Sequence, residues 1–396
     1  MKVLQFFRTY MPATCGGIEE AIRQICLATA RHGVEQRLLT LAPVDRVQTL
    51  ERPEARVIQV PLQWEPSSCS MGLATFAAYR EQARWADLIH IHYPWPFADV
   101  VHLLSAVNKP VLVTYHSDII RQRRLERLYA PVRHQFFSRV DRLIATSPDY
   151  LRTSPLLGRY ADKCEVIPLG LEPDTYSEPQ PSTLQALRRQ YGEQFFLFVG
   201  VLRYYKGLHV LLEAAALSGL PIVIAGAGPE EASLKAQAAR LGLSNVVFTG
   251  RVSEDEKAAL FTLCRAVVFP SCLRSEAFGV TLLEGQLYSR ALICCDIGTG
   301  TSYVNQHGET GLVIPPNDAP ALAAAMRQLD ADPLLAVSTI IGVRVTIPPA
   351  AQAHQVPNQY ISPDRPRVGC GVVGAQIKPA PHNPSPNTNP TRHISK

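Results

Sequence analysis

The sequence predicts an α/β protein made of two Rossmann-like domains, and three observations carry that reading. Apolar runs of strand length recur along residues 1–330 and alternate with helical periodicity, the pattern of parallel sheets covered by helices. A polar, proline-rich stretch at residues 172–182 separates two such series. Finally, 396 residues with 46% hydrophobic content suffice for two cores of ordinary size. The expected boundaries are 1–171 for the first domain, 172–182 for the linker, 183–333 for the second domain and 334–396 for an atypical tail.

In the first domain, Val3 to Phe7 reads as a buried strand. Gly16-Gly17 then open a helix with Ile18, Ile22, Ile25 and Thr29 at helical spacing, closed by Gly33. Gln36 to Leu41, Val57 to Val60 and Asp87 to His92 are further strands. His90 and His92 share a face, but a third ligand at metal-binding spacing is missing, so satisfied structural histidines are expected, with His92 bordering a cleft. Val111 to Asp118 is a strand with polar groups at its carboxyl end, where α/β sites form. Arg121 to Arg142 contains seven arginines against Glu126 and Asp141, with Leu125, Leu128, Val132 and Phe136 at helical spacing. The apolar line should pack on the sheet and leave the arginines outward. That outer side is either a solvated face or a basic surface, including Arg121, Arg123, Arg124 and Arg127, that rests on anionic lipid. Leu143 to Ser147 and Val166 to Gly170 close the domain.

The second domain repeats the alternation, with strands at Phe195 to Val199, Pro221 to Ala225, Val246 to Phe248, Ala266 to Phe269 and Leu292 to Cys295. Ser253-Glu254-Asp255-Glu256 is a capping box, and Asp318 to Leu329 reads as a helix. Residues 334–396 lose helical periodicity and carry ten of the 32 prolines, so a disordered segment, out of frame or otherwise foreign to the fold, is expected there.

Two segments carry the chemistry. In Ser275-Glu276-Ala277-Phe278-Gly279-Val280-Thr281-Leu282-Leu283-Glu284, a loop runs into a helix, and Phe278, Gly279 and Val280 stand where that helix begins. Their free amides and the helix dipole suit an anion, while Glu276 and Glu284 offer acceptors for hydroxyls on either side. Two glutamates on one helical segment are more often a solvated face. The second segment shifts the balance: the strand at Phe195 to Val199 ends at Gly200, and Arg203 and Lys206 follow in its turn. Two cations at the carboxyl end of a parallel strand can reach one diphosphate. Gly226 and Gly228 follow another strand, but Glu231 occupies the third glycine position of a dinucleotide fingerprint, which disfavours a dehydrogenase. The pair instead suggests close backbone approach to a nucleotide, and Gly16-Gly17 offers either amides to a ligand or only a tight turn.

Other classes are bounded by composition. No apolar run reaches membrane-spanning length, and the start is too short for a signal peptide, so a cytoplasmic protein is expected. Nine cysteines without a C-x-x-C pair fit a reducing compartment, and Cys294-Cys295 read as buried thiols. No structural metal and no nucleic-acid partner are expected, a net charge of +5 being mild.

Gly200-x-x-Arg203-x-x-Lys206-Gly207 followed by Glu276-x7-Glu284 resembles the retaining GT-B glycosyltransferases of family 4 over roughly residues 1–330. The phrases Gly298 to Asn305 and His307 to Pro316 look like the bacterial mannosyl- and rhamnosyltransferases of lipopolysaccharide O-antigen assembly. The resemblance implies two Rossmann-like domains facing a central cleft, acceptor-side first and donor-side second. It implies a nucleotide diphosphate sugar, GDP-linked favoured, as donor substrate, no cofactor or metal, and a lipid-linked or oligosaccharide acceptor. It places His116 by the donor sugar, gives Asp118 a structural or acceptor-side role, and sets Arg251 where the chain passes the base. Arg203, Lys206 and Glu276 join His116 as the catalytic set. Gly16, Gly17, Gly226, Gly228, Arg251, Phe278, Gly279, Val280 and Glu284 form the donor-binding set.

The chain departs from the family pattern after Glu284. Gly285 lies inside the helix, at a propensity cost of about 1 kcal/mol, and Ser289 and Ala291 stand where Gly-x-Pro is usual, so a looser turn is expected. The family's final crossing helix has no counterpart in the tail, which leaves a catalytically impaired binding or scaffold protein as an alternative. Another GT-B enzyme, such as a sugar-nucleotide epimerase, is a second.

Overall fold

The computed structural model describes residues 1–119 and 123–332, with the side chains of 123–126 excepted. The expected tail and Arg121 therefore lie outside the described residues.

The apolar runs of the first half become strands β1 (Lys2–Phe6), β2 (Glu35–Ala42), β3 (Gln48–Glu51), β4 (Arg56–Pro61), β5 (Leu88–Tyr93), β6 (Val111–Tyr115), β7 (Arg142–Ala145) and β8 (Cys164–Val166). Their spatial order is β3-β4-β2-β1-β5-β6-β7-β8. All pairings are parallel except β3 with β4, an antiparallel edge. The second half gives β9 (Phe196–Val199), β10 (Ile222–Ala225), β11 (Val246–Gly250), β12 (Ala266–Phe269), β13 (Ala291–Cys295) and β14 (Gly311–Ile314). This sheet is wholly parallel, in the order β11-β10-β9-β12-β13-β14. Strand order reverses between β1 and β5 in the first sheet and between β9 and β12 in the second, the positions at which ligands enter open α/β sheets.

Both sheets belong to one compact unit. The second sheet's apolar cluster takes in Ala21, from the helix Gly17–Ala30, with Leu169 and Leu171 of the first half, and the main cluster of the first sheet takes in Ala277 from the second. The stretch between the sheets is held on both sides. The Glu172 amide donates to Gln24 Oε1 at 2.7 Å, its carboxylate pairs with Arg31 at 2.8 Å, and the Tyr176 hydroxyl donates to Glu20 at 3.1 Å. Beyond it, the Gln180 amide donates to Asp255 at 2.8 Å, and the Tyr288 hydroxyl donates to the Ser177 carbonyl at 3.2 Å.

Two expectations are corrected. The apolar line on the helix Arg123–Arg139 does not run through Leu128, which is 80% exposed. Phe136 is buried as expected and Phe137 with it, while Tyr129 turns inward to donate to Asp99, so part of the packed side is rotated by about one residue from the expected line. The turn after the helix Val280–Leu287 is closed rather than loose, with the Ser289 amide donating to the Gln286 carbonyl and the Arg290 amide to the Gly285 carbonyl, both at 2.9 Å. Gly285 itself lies inside the helix. A Cβ there would lie 2.7 Å from Leu292 Cδ2 and 3.0 Å from Val267 Cγ2, so glycine lets this helix close onto β12 and β13. Ser289 holds the left-handed conformation (φ 55°) that the usual glycine would adopt without strain. Cys294 and Cys295 are buried thiols.

Candidate active site

Lys206 and Glu276 come together because β9 and β12 are neighbours. The turn after β9 carries Arg203, exposed, and the helical turn Tyr204–Lys206. The loop after β12 carries Glu276 and leads into the helix Val280–Leu287. Lys206 Nζ lies 2.5 Å from Glu276 Oε2, and each side chain is only 12% exposed. Ser271 Oγ donates to the same oxygen at 3.2 Å, and the ammonium stands 4.4 Å from the centre of the Phe269 ring. Burial acts to lower the lysine pKa, but Glu276 and the Tyr205 phenol outweigh it, so the amine stays above its ordinary value and charged at neutral pH.

Gly279 caps the helix Val280–Leu287 at φ 90°, with no side-chain hydrogen bond at the cap. Thr281 Oγ1 donates to the Val199 carbonyl at 3.2 Å, tying this helix start to the end of β9. Phe278 is buried beneath Gly300 and acts as the wedge that seats the loop. The Gly16-Gly17 loop that follows β1 lies against this helix start. The position of a Gly17 Cβ would be 3.8 Å from Val280 Cγ2. Arg251, exposed, and Lys257 lie near enough to act on the Cys15 thiol, which burial and Glu19 push upward.

Glu284, one turn inside its helix, is buried, and its Oε1 lies 2.9 Å from Lys257 Nζ. Burial raises the carboxyl above its ordinary range against the pull of Lys257, with Glu20 and Glu254 adding to the rise. Burial also acts to lower Lys257, but Glu284 and Glu254 hold it above its ordinary value. Each glutamate of the E-x7-E pair thus has its own lysine. Sequence reasoning found Lys206 and missed Lys257, a charged residue on a capped helix that only the fold brings to Glu284.

His116 follows β6 and is buried, its amide donating to the Tyr93 carbonyl at 2.9 Å. Its Nε2 is 2.9 Å from His92 Nδ1, and burial pulls its pKa down to about 3, so the ring is neutral. His90 is 2.7 Å from Thr114 Oγ1 and His92 is 2.8 Å from Gln5 Oε1, the satisfied histidines expected from the sequence. Asp118 serves a structural contact. It accepts from the Tyr115 hydroxyl and from Ser154 on one oxygen, and pairs through the other with Arg274 at 3.3 Å. Arg274, which sequence reasoning also missed, further donates to Thr153 Oγ1 and to the Gly298 carbonyl, both at 2.8 Å, and stands over the Tyr150 ring. It links the loop holding Glu276 to the first domain.

Gly226 and Gly228 lie against the turn after β9. A Cβ on Gly226 would strike the Gly200 carbonyl, and one on Gly228 would come within 2.5 Å of the Leu202 carbonyl oxygen. The turn after β9 approaches both closely, with the Leu202 amide donating to the Ala227 carbonyl at 3.1 Å.

These two facing domains define a GT-B glycosyltransferase. Residues 16–170 match the glycosyl transferase 4-like domain, residues 180–341 match glycosyl transferases group 1, and the chain belongs to this family. The D-rhamnosyltransferase WbpZ of Pseudomonas aeruginosa is 49% identical over 329 residues, covering 83% of this chain and 86% of the relative. The O-antigen chain mannosyltransferase C of Escherichia coli is 46% identical over 330 residues, covering 83% and 88%. Among solved structures, sucrose-phosphate synthase from Thermosynechococcus elongatus superposes with a TM-score of 0.74 at 22% identity, covering 91% of this chain and 98% of its own. WaaG, a glycosyltransferase involved in lipopolysaccharide biosynthesis, does so with 0.65 at 18% identity, covering 90% and 98%. These two share the fold. Among the described residues, no helix is long and apolar enough to cross a membrane.

Proposed function

We propose that this chain moves a hexose, mannose or rhamnose, from a GDP-linked donor to a hydroxyl of a lipid-linked or oligosaccharide acceptor in O-antigen assembly, with retention and without a bound metal. The observation that carries this reading is the Lys206–Glu276 pair at the strand-order reversal of the second sheet, beside the start of the Val280–Leu287 helix and opposite Gly17. The departing diphosphate gathers negative charge in the transition state, and fixed cations and amides that hold it lower the barrier. Lys206 and Arg203 supply the cations, and the amides at Phe278, Gly279 and Val280 complete the anion site. Glu276 accepts from sugar hydroxyls once the diphosphate shares its lysine. Glu284, kept in place by Lys257, accepts from the ribose, and Arg251 lines the base. Neutral His116 meets the donor sugar. Among the described residues no carboxylate is placed as a covalent nucleophile, and the resemblance to retaining glycosyltransferases favours same-face substitution. The names of the two relatives above favour transfer over the scaffold and epimerase alternatives.

The test is transfer from GDP-mannose and GDP-rhamnose to a lipid-linked acceptor by wild type, Lys206→Met and Glu276→Gln, with and without chelator. Each variant is expected to lose about a hundredfold or more in rate, chelation to change nothing, and the product to keep the donor's anomeric configuration. Unimpaired transfer by both variants would overturn the assignment. Arg127 and Leu128, both exposed on the same helix, support docking to an anionic bilayer at the cytoplasmic face. Charge reversal of Arg123, Arg124 and Arg127 is expected to abolish binding to anionic vesicles, and unchanged binding argues against it.

A further inference from the structure

A row of buried polar side chains crosses the first sheet from the helix Gly17–Ala30 to His116. Gln36 Nε2 lies 2.7 Å from Thr29 Oγ1, Gln5 Nε2 lies 3.1 Å from Gln36 Oε1, and Gln5 Oε1 lies 2.8 Å from His92 Nε2. His92 Nδ1 then meets His116 Nε2 at 2.9 Å. All five side chains are buried.

The direction of the row is set at its far end. Thr29 Oγ1 lies 2.7 Å from the Ile25 carbonyl and 3.3 Å from that of Cys26. Carbonyls only accept, so the hydroxyl proton is spent there and the oxygen must accept from Gln36. Gln36 therefore presents its amide nitrogen to Thr29 and its oxygen to Gln5. Gln5 presents its nitrogen to Gln36 and its oxygen to His92, so His92 must donate from Nε2. A neutral imidazole carries one proton, which leaves His92 Nδ1 as an acceptor and requires His116 to donate from Nε2. The reverse polarity would forfeit the bond from Thr29 to Ile25, with nothing gained inside the row.

We propose that Thr29, Gln36, Gln5 and His92 are positioning residues that fix the tautomer of His116, with its proton on Nε2 and a bare Nδ1, so that it accepts a hydrogen bond from a donor-sugar hydroxyl. This deepens the reading above, on which the contact of His116 with the sugar rests. Burial keeps both rings neutral, as the tautomer argument requires. The device is useful because an imidazole free to exchange tautomers presents a lone pair only part of the time, whereas this one is preorganised for a donor hydroxyl.

The test is nitrogen NMR of the histidine side chains, without substrate, in protein labelled with 15N-histidine. Wild type is expected to show a protonated Nε2 and an unprotonated Nδ1 at both His92 and His116. A proton on Nδ1 of either ring overturns the proposal. Gln5→Met cuts the row in the middle. It is expected to give mixed tautomers at His116 and to lower kcat/KM for transfer by about tenfold, with GDP affinity unchanged. A single Nε2–H tautomer in that variant shows that the row does not set it. If Gln5→Met does not fold, the wild-type pattern still decides. The NMR pattern needs no turnover, so its failure is separate from failure of the transferase reading, which only the transfer assay reports.

Discussion

Replacing His90 with glutamine should flatten the acid limb of the stability curve. Burial, with His116 adding to it, pulls the His90 pKa from an ordinary 6.5 to about 3. The unfolded chain therefore binds a proton below pH 6.5 that the folded chain refuses, and stability present above that pH is lost as the pH falls. At about 1.4 kcal/mol per pH unit, one such histidine costs about 2 kcal/mol between pH 7 and pH 5. The introduced amide would keep a polar partner for Thr114 and cannot titrate. The stability gap between wild type and His90→Gln should thus narrow by about 2 kcal/mol over that range, while other titrating groups, including the upward-shifted Asp99 and Glu284, cancel in the comparison. Urea unfolding followed by tryptophan fluorescence is the assay, because Trp64, Trp85 and Trp95 are the only tryptophans and all lie in the first domain. A gap that stays constant within about 0.5 kcal/mol from pH 7 to pH 5 would show that His90 titrates normally and refute the reasoning.

Three further outcomes follow from packing. Helix propensity alone makes Gly285→Ala stabilising by about 1 kcal/mol, but overpacking against Leu292 and Val267 costs about 1–3, so calorimetry should show an unchanged or lower Tm. A clear rise sinks the packing account. Ser289→Gly relieves a left-handed residue and should add about 0.5–1 kcal/mol, raising Tm by about 1–3 °C, whereas a fall would show that the serine contributes more than it strains. Arg274→Met removes the charged contacts to Asp118 and Gly298 and should raise KM about tenfold, with partial rescue by Arg274→Lys, and unchanged kinetics would leave it a surface residue.

Most strands were legible because parallel strands buried on both faces are plain apolar runs, as at Phe195 to Val199. The antiparallel edge Gln48–Glu51 was not, because its side chains are largely exposed and leave no such run. Gly311–Ile314 stands in the sequence only as part of a phrase resembling a family, and nothing local marks it as the outermost strand of the second sheet. At the site, motif order assigns Lys206 and Glu276 to one ligand without pairing them, and Lys257 and Arg274 carry no signal, since nothing near them in the chain names a partner. Gly226 and Gly228 show the converse. A glycine pattern reports close backbone approach without saying what approaches, and here the neighbouring turn does. Leu128 was misplaced because helical spacing fixes which residues share a side but tolerates a one-residue rotation when Tyr129 can reach Asp99.

Ala21 and Ala277 sit in each other's apolar clusters, and this bears on what would happen if the gene were cut at the linker. Neither fragment would carry a finished interior, since the second would lack Ala21, Leu169 and Leu171 and the first would lack Ala277. Co-expressed halves should accordingly reassemble by complementation, and a half made alone should show a less cooperative melt than the reunited pair.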